Sequence, residues 1–217
     1  MLDLGFDEDV ATVQRLISQK PWMLMFSATF AVGVRQLAAQ VMAPSSLLVT
    51  IGQQELATAT SVTQRVELLR GKGAPRFRRL CALLADFGVK ACPGGSDNPD
   101  FADLDPQVQA RHSGTQSKVL VFVTYKKEAR DICRALKEKG FFAEPLSGDM
   151  SQSARSAALD KFRNGSAEVL VATDVAARGL DVEGITHVIN FSIGMSIDTY
   201  VHRVGRCGRA GQVGLAH

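Results

Sequence analysis

Cysteine is scarce in this chain and poorly spaced for chemistry. Four occur among 217 residues, Cys81, Cys92, Cys133 and Cys207. No two form a Cys-x-x-Cys pair, and no histidine stands at metal-ligand spacing from any of them. A zinc-binding cysteine cluster and a disulfide framework are therefore excluded, and reduced thiols of an intracellular protein are expected. The four histidines, His112, His187, His202 and His217, are dispersed. Apolar runs are short, and none approaches the roughly 18 residues of a membrane span. The opening "MLDLGFDEDV" carries acids where a signal or transit peptide needs bases. Charge is nearly balanced, with 25 Lys and Arg against 22 Asp and Glu, a net +3. Totals thus point to no polyanion, and only local clusters of Arg or Lys can. There is no internal repeat.

What is present suits a soluble α/β protein of one or two domains, with 46% hydrophobic residues. Helical i, i+3, i+4, i+7 spacing occurs at Val34, Leu37, Ala38 and Val41. It recurs at Phe77, Leu80, Cys81 and Leu84 behind Pro75, and at Ala129, Ile132, Cys133 and Leu136. Thr124 is the expected N-cap of that third helix and Gly140 its stop. A fourth helix is predicted from Ser151 to Asn164, ahead of Gly165. Between them lie continuous apolar runs, 23–26, 119–123, 168–173 and 187–191, which suit strands buried on both faces of a parallel sheet. From 118 onward strands and helices alternate, the signature of an α/β layered sheet. Residues 51–74 read as a linker with an edge strand in "VTQRVELL". Residues 88–117, rich in Gly, Pro, Ser and Asp, read as an exposed, partly disordered insert. Residues 1–50 hold two helices and two strands, too little for a stable domain. Residues 75–217 can form a whole one.

Three segments carry chemistry. In "VATDVAARGLDV" a buried strand ends at Thr173, followed by Asp174, Arg178, Gly179 and Asp181. Ligands of open α/β sheets bind beyond strand carboxyl ends, where such groups suit phosphates and sugar hydroxyls. A strand–turn with a surface ion pair from Arg178 to Asp174 or Asp181 fits equally well. "SAT", Ser27, Ala28 and Thr29, also follows an apolar run; two hydroxyls there can bridge to another element, but taken alone a helix N-cap before 32–42 explains them better. "HRVGRCGRAG" places Arg203, Arg206 and Arg209 three residues apart, with Gly205, Gly208 and Gly211 on the same period. Glycines at that spacing disfavour a continuous helix and allow close backbone approach to a ligand. Arginine is suited to bidentate phosphate contact. A solvated basic turn is the alternative.

Together, and in this order, these segments resemble the DEAD-box family of superfamily 2 RNA helicases. "SAT" resembles motif III, "VLVFVTYKKEA" motif IV with Phe122 at its aromatic position, "ATDVAARGLD" motif V and "YVHRVGRCGRAG" motif VI. "SGDMSQSARSAALDKFRNG" resembles the family's HGDxxQxxR…FRxG stretch, and "MLDLGF" the residues after its Asp-Glu-Ala-Asp box. The resemblance implies two RecA-like lobes. Residues 1–50 would be the remnant of the ATP-binding lobe, 51–74 the interdomain linker and 75–217 the helicase C-terminal lobe. It implies ATP with Mg²⁺ as cofactor, the metal ligands lying in the first lobe. RNA would be the partner, held through its backbone, with protein cofactors possible, no membrane, and a monomeric state. The compartment would be nucleus, nucleolus or cytoplasm. Arg206 and Arg209 would be arginine fingers on the γ-phosphate, with His202 coupling the cleft to the first lobe. Asp181 would contact the ribose, with Gly179 beside the nucleotide. Ser27, Ala28 and Thr29 would couple hydrolysis to strand separation. Gly148, Gln152, Arg155, Thr173, Asp174 and Arg178 would lie on the RNA path.

The departures are specific. Ser147 replaces a common His, and Cys207 a common Thr. In "NFSIGMS" Ser192 and Gly194 stand where the family has Asp and Pro. No G-x-x-x-x-G-K-[ST] phosphate loop and no Asp-Glu-Ala-Asp box occur in these residues, so a fragment of a helicase is expected, inactive as it stands. Two other readings fit the same motifs. One is a non-catalytic module that binds RNA or supplies arginines in trans, and the other is a RecQ-type DNA helicase.

Overall fold

Lys118 to Val123 is the strand on which the fold is built, because every second side chain packs to the opposite face. The computed structural model describes residues 7–17, 22–27, 32–51, 58–70, 74–91, 117–177, 182–209 and 211–217. It divides into two units, Met1–Ala57 and Thr58–His217.

The second unit holds a six-stranded sheet. In chain order its elements are β1 (Val62–Gln64), α3 (Ala74–Asp86), β2 (Lys118–Val123), α4 (Lys126–Glu138), β3 (Ala143–Leu146) and α5 (Gln152–Arg163). Then follow β4 (Val169–Thr173), α6 (Asp174–Ala177), β5 (Ile185–Asn190), α7 (Ile197–Val204) and β6 (Gly214–Ala216). The strand order is β1-β6-β5-β2-β4-β3, and every pairing is parallel. Leu120, Phe122, Leu170, Ala172 and Val188 face one core with Phe162 and Val204. Val119, Val121, Val123, Val169, Val171 and Ile189 face the other with Leu80, Leu84 and Leu136. Apolar side chains on both faces of central strands leave no polar face to solvate, so helices must cover both.

The expected strands at 119–123, 168–173 and 187–191 form β2, β4 and β5. The fourth helix matches closely. The Ser151 hydroxyl accepts from the Ala154 N–H at 3.2 Å as N-cap of α5, and Gly165 beyond its end takes φ +83°. The cap expected for the third helix is different. Tyr125, not Thr124, is the N-cap of α4 and makes no side-chain cap. Instead the Glu128 carboxylate reaches back and accepts from the Thr124 N–H at 3.3 Å. An acid in the first turn can accept from a free backbone donor and sits favourably at the positive end of the helix dipole.

β1 is the edge strand, its register set by Val62 opposite Gly214. β6, absent from the sequence reading, joins it to β5. Three residues behind a glycine-rich turn carry too little pattern to announce a strand. Most of the insert read at 88–117 lies outside the described residues. Before it, Val89 is buried at the end of the α3 turn.

The first unit carries α1 (Asp7–Leu16) and α2 (Val32–Val41). The apolar run 23–26 was expected to be a strand, yet residues 22–27 form no regular structure, and Trp22, Leu24 and Phe26 are exposed. A strand exists only where neighbouring strands take its backbone hydrogen bonds. None does so among the described residues of this unit.

Candidate functional site

The carboxyl ends of β2, β4 and β5 converge on α7, and one arginine ties them together. Arg203 is 1% exposed. Its guanidinium grips Asp174 bidentately, Nε to Oδ1 at 2.5 Å and Nη2 to Oδ2 at 2.7 Å. Its Nη1 donates to the Ser192 carbonyl at 2.6 Å and to Asn190 Oδ1 at 3.2 Å. The same group lies 5.1 Å over the Phe122 ring. A buried cation demands this many partners, because desolvation is tolerated only when every donor is used.

This corrects the reading of three arginines facing one external anion. Arg203 has its anion inside the protein, and both oxygens of Asp174 are committed to it. The ion pair weighed between Arg178 and Asp174 or Asp181 turns on Arg178, which lies outside the described residues, as does Asp181. On α7 Arg203 precedes the fully buried Val204, but the three-residue spacing treats it like Arg206 and Arg209. Only the tertiary packing shows which arginine turns inward.

His202 and Arg206 line a small depression with Phe122, Asp174, Ala177, Thr199 and Arg203. His202 sits in the last turn of α7 and Arg206 in the turn after it. Arg209 lies outside that lining. It is exposed, and its Nε donates to the Gly205 carbonyl at 2.8 Å, which anchors it beside the helix end. The half-exposed Arg206 guanidinium, with the His202 ring beside it and Asp174 neutralised behind, forms a rim suited to an anionic oxygen.

A second set gathers around α6. Thr173 is buried at the end of β4. Arg155 on α5 donates from Nη2 to the Ala176 carbonyl at 2.8 Å. Gly148, exposed in the turn after β3, faces Val175, whose Cγ1 would lie 4.0 Å from an added Cβ. Gln152 opens α5 on an exposed face. Ser27 is an exposed residue of the first unit. Ala28, Thr29, Arg178, Gly179 and Asp181 lie outside the described residues.

The glycines of the arginine segment do different work from that expected. Gly205 caps α7. Gly208, at φ +69°, leaves no room for a side chain, since a Cβ would stand 2.5 Å from Val62 Cγ2. The Ser61 hydroxyl donates to the Gly208 carbonyl at 2.9 Å. The close approach is to β1, not to a ligand. Cys207 between them is buried, and burial pushes its thiol up to about 11, so it is no nucleophile. Cys81, Cys133 and Cys207 are free thiols, as expected from their spacing.

The ATP phosphates fit the rim only in part. Arg206 and Arg209 supply positive charge, but no phosphate-cradling loop accompanies them in this sequence. Among the described residues no group of three His, Cys, Asp or Glu is placed to hold a metal ion. Also among the described residues, no helix is long and apolar enough to cross a membrane.

A six-stranded parallel sheet covered by helices on both faces is the RecA-like architecture of helicase C-terminal domains. Residues 102–211 match the family "Helicase conserved C-terminal domain". The chain is 38% identical over 218 residues to the ATP-dependent RNA helicase DBP3 of Meyerozyma guilliermondii, covering all of this chain and 35% of that protein. It is 38% identical over 217 residues to DEAD-box ATP-dependent RNA helicase 5 of Arabidopsis thaliana, covering 36% of that protein. Among solved structures, S. cerevisiae Dbp5 bound to RNA and ADP BeF3 superposes with a TM-score of 0.73 at 25% identity, over 98% of this chain and 48% of that one. A hypothetical ATP-dependent RNA helicase from Sulfolobus tokodaii gives 0.58 at 25% identity, over 100% and 53%. The chain belongs to the helicase conserved C-terminal domain family, and relatives at 38% identity are named DEAD-box and ATP-dependent RNA helicases. It spans little more than a third of the length of those two relatives.

Proposed function

We propose that the protein carrying these residues is an ATP-dependent RNA helicase that opens short RNA duplexes. In it this chain supplies the C-terminal wall of the ATP and RNA sites. The observation that carries the reading is the convergence of His202 and Arg206 on one rim at the carboxyl edge of the sheet, with Asp174 neutralised behind them. Bound ATP supplies the free energy through its γ-phosphate bond. Arg206 and Arg209 offer permanent charge to that phosphate, which is the kind of contact that speeds phosphoryl transfer. His202 links the rim to the opposite lobe, and Asp181 and Gly179 hold the sugar side of the nucleotide. Ser27, Ala28 and Thr29 couple the two events.

RNA runs over the α6 platform. There Gly148, Gln152, Arg155, Thr173 and Arg178 offer backbone approach, amide, hydroxyl and guanidinium groups to phosphates and 2′-hydroxyls. Asp174 contributes through its place in the turn rather than through its carboxylate. By themselves these 217 residues, without a phosphate loop, do not turn over ATP. Mg²⁺ is held by the lobe that carries that loop. Protein cofactors are part of the reading as well: S. cerevisiae Dbp5, in the form bound to Gle1 and IP6, superposes with a TM-score of 0.62 at 26% identity.

In the full-length protein, Arg206→Ala and Arg209→Ala should each lower ATP turnover by about three orders of magnitude. RNA affinity at fixed salt should stay within about threefold, since neither group lies on the RNA path. Steady-state ATPase and filter-binding assays check both. Turnover that survives either change removes that arginine from the site. Stimulation by duplex DNA equal to that by duplex RNA would assign the protein to DNA instead.

A further inference from the structure

The two departures from the family pattern at Ser192 and Gly194 meet in one place. The Ser192 hydroxyl donates to both oxygens of Glu128, at 2.9 and 3.0 Å. Glu128 is the same carboxylate that closes the first turn of α4 on the Thr124 N–H. On its other side the Ser192 carbonyl receives Nη1 of Arg203. Ser192 is thus the middle of a relay, Glu128–Ser192–Arg203–Asp174, that joins the exits of β2, β5 and β4 to α7. Two residues on, a Cβ at Gly194 would stand 2.8 Å from Thr199 Cγ2 and 3.4 Å from Arg203 Cζ. The turn packs closely on α7, and a side chain at 194 would force the Thr199 side chain to shift.

We propose that Glu128 is a positioning residue for the arginine rim: latched by the Ser192 hydroxyl, its carboxylate fixes the 190–196 turn from which α7, and with it His202 and Arg206, is held. Serine at 192 and glutamate at 128 form a matched pair. An aspartate at 192, as the family pattern has it, would set a second carboxylate within about 3 Å of Glu128, where two negative charges repel. The latch would then open and the turn would carry Arg203 away from Asp174. The proposal rests on the reading that the rim serves ATP turnover, while the latch itself is measured without turnover.

The test uses the full-length protein with Ser192→Asp, Ser192→Ala, and Ser192→Asp combined with Glu128→Gln. Amide hydrogen exchange across 190–204 should be about tenfold faster in Ser192→Asp, as expected for losing a hydrogen bond to a charged group. It should be faster by less in Ser192→Ala, and close to the parent in the double variant, whose glutamine amide can donate to the new aspartate. RNA-stimulated kcat should fall about tenfold in Ser192→Asp with KM for ATP within about twofold, and recover in the double variant. Parental exchange across 190–204 in both single variants overturns the latch. Faster exchange with kcat unchanged overturns the positioning role, as does a fall in kcat that Glu128→Gln leaves unrepaired. If the unsubstituted protein shows no RNA-stimulated turnover, the ATPase reading fails, and the exchange data alone decide the latch.

Discussion

Arg203 shows how one residue's environment reverses its apparent purpose. In sequence it is one of three equivalent arginines; in the fold it is the buried member, bonded to Asp174, Asn190 and Ser192 of the same unit. Removing it leaves Asp174 facing a cavity where a guanidinium had been. Arg203→Ala should therefore cost about 3–5 kcal/mol, the range for breaking a buried pair from one side. Arg203→Lys should recover only part of that, since one ammonium cannot span both carboxylate oxygens, Ser192 and Asn190 together. Urea unfolding of the three proteins measures it. Asp174 carries the opposite lesson. Its place at a strand end suggested a ligand contact, and the charge that suggestion needed is already neutralised.

At the level of elements, the arginine segment is a joint between α7 and the sheet edge. Gly208 is confined by the side chains of Val62 and Ser61, and Gly205 by the last turn of α7. Gly214 is packed as tightly as Gly208, with a Cβ there falling 2.6 Å from the Gly208 nitrogen. Gly208→Ala would meet both a steric clash with Val62 and a left-handed φ. It should destabilise the protein by about 2–4 kcal/mol, combining overpacking with the left-handed penalty. Gly211, also at positive φ but with nothing within 4 Å of an added Cβ, should lose only about 1 kcal/mol on the same change. Thermal unfolding of the two variants side by side separates packing from backbone strain. The α4 cap makes a related point. Thr124 is a chemically suitable cap one residue too early, and Glu128 takes the role because Ser192, 64 residues away in sequence, holds its carboxylate in place.

For the whole molecule, the acid limb of stability should report two surface carboxylates. Glu67, held by both the Nε and Nη2 of Arg79, has its pKa lowered to about 2. Asp149, bonded first by the Ser147 hydroxyl at 2.6 Å and then by Arg130 at 2.5 Å, is also lowered to about 2. A carboxyl depressed in the folded state stabilises it above the unfolded value near 4, and that contribution is lost as pH falls toward 2. Between about pH 4 and 2 the parent should thus lose stability more steeply than Glu67→Gln or Asp149→Asn. Chemical unfolding at stepped pH gives the slopes. Equal slopes would mean that neither pair persists in solution.

How much of this was legible beforehand follows from the range of each signal. β2, β4, β5 and α5 could be read because burial on both faces and local caps are written within a dozen residues. The motifs could be read because chemistry at strand ends needs fixed residue types in a fixed order. The run at 23–26 misled, because apolar content does not say whether partner strands exist. β6 was missed, because a three-residue strand is defined by its neighbours. The sequence by itself determined the sheet class, the family and the residues available for chemistry, since these depend on local pattern and composition. Only the tertiary structure decided which arginine turns inward, which acid it neutralises, why 208 and 214 must be glycine, and that Ser192 answers Glu128. Each of those depends on distances between residues far apart in the chain, set when the strands fall into register.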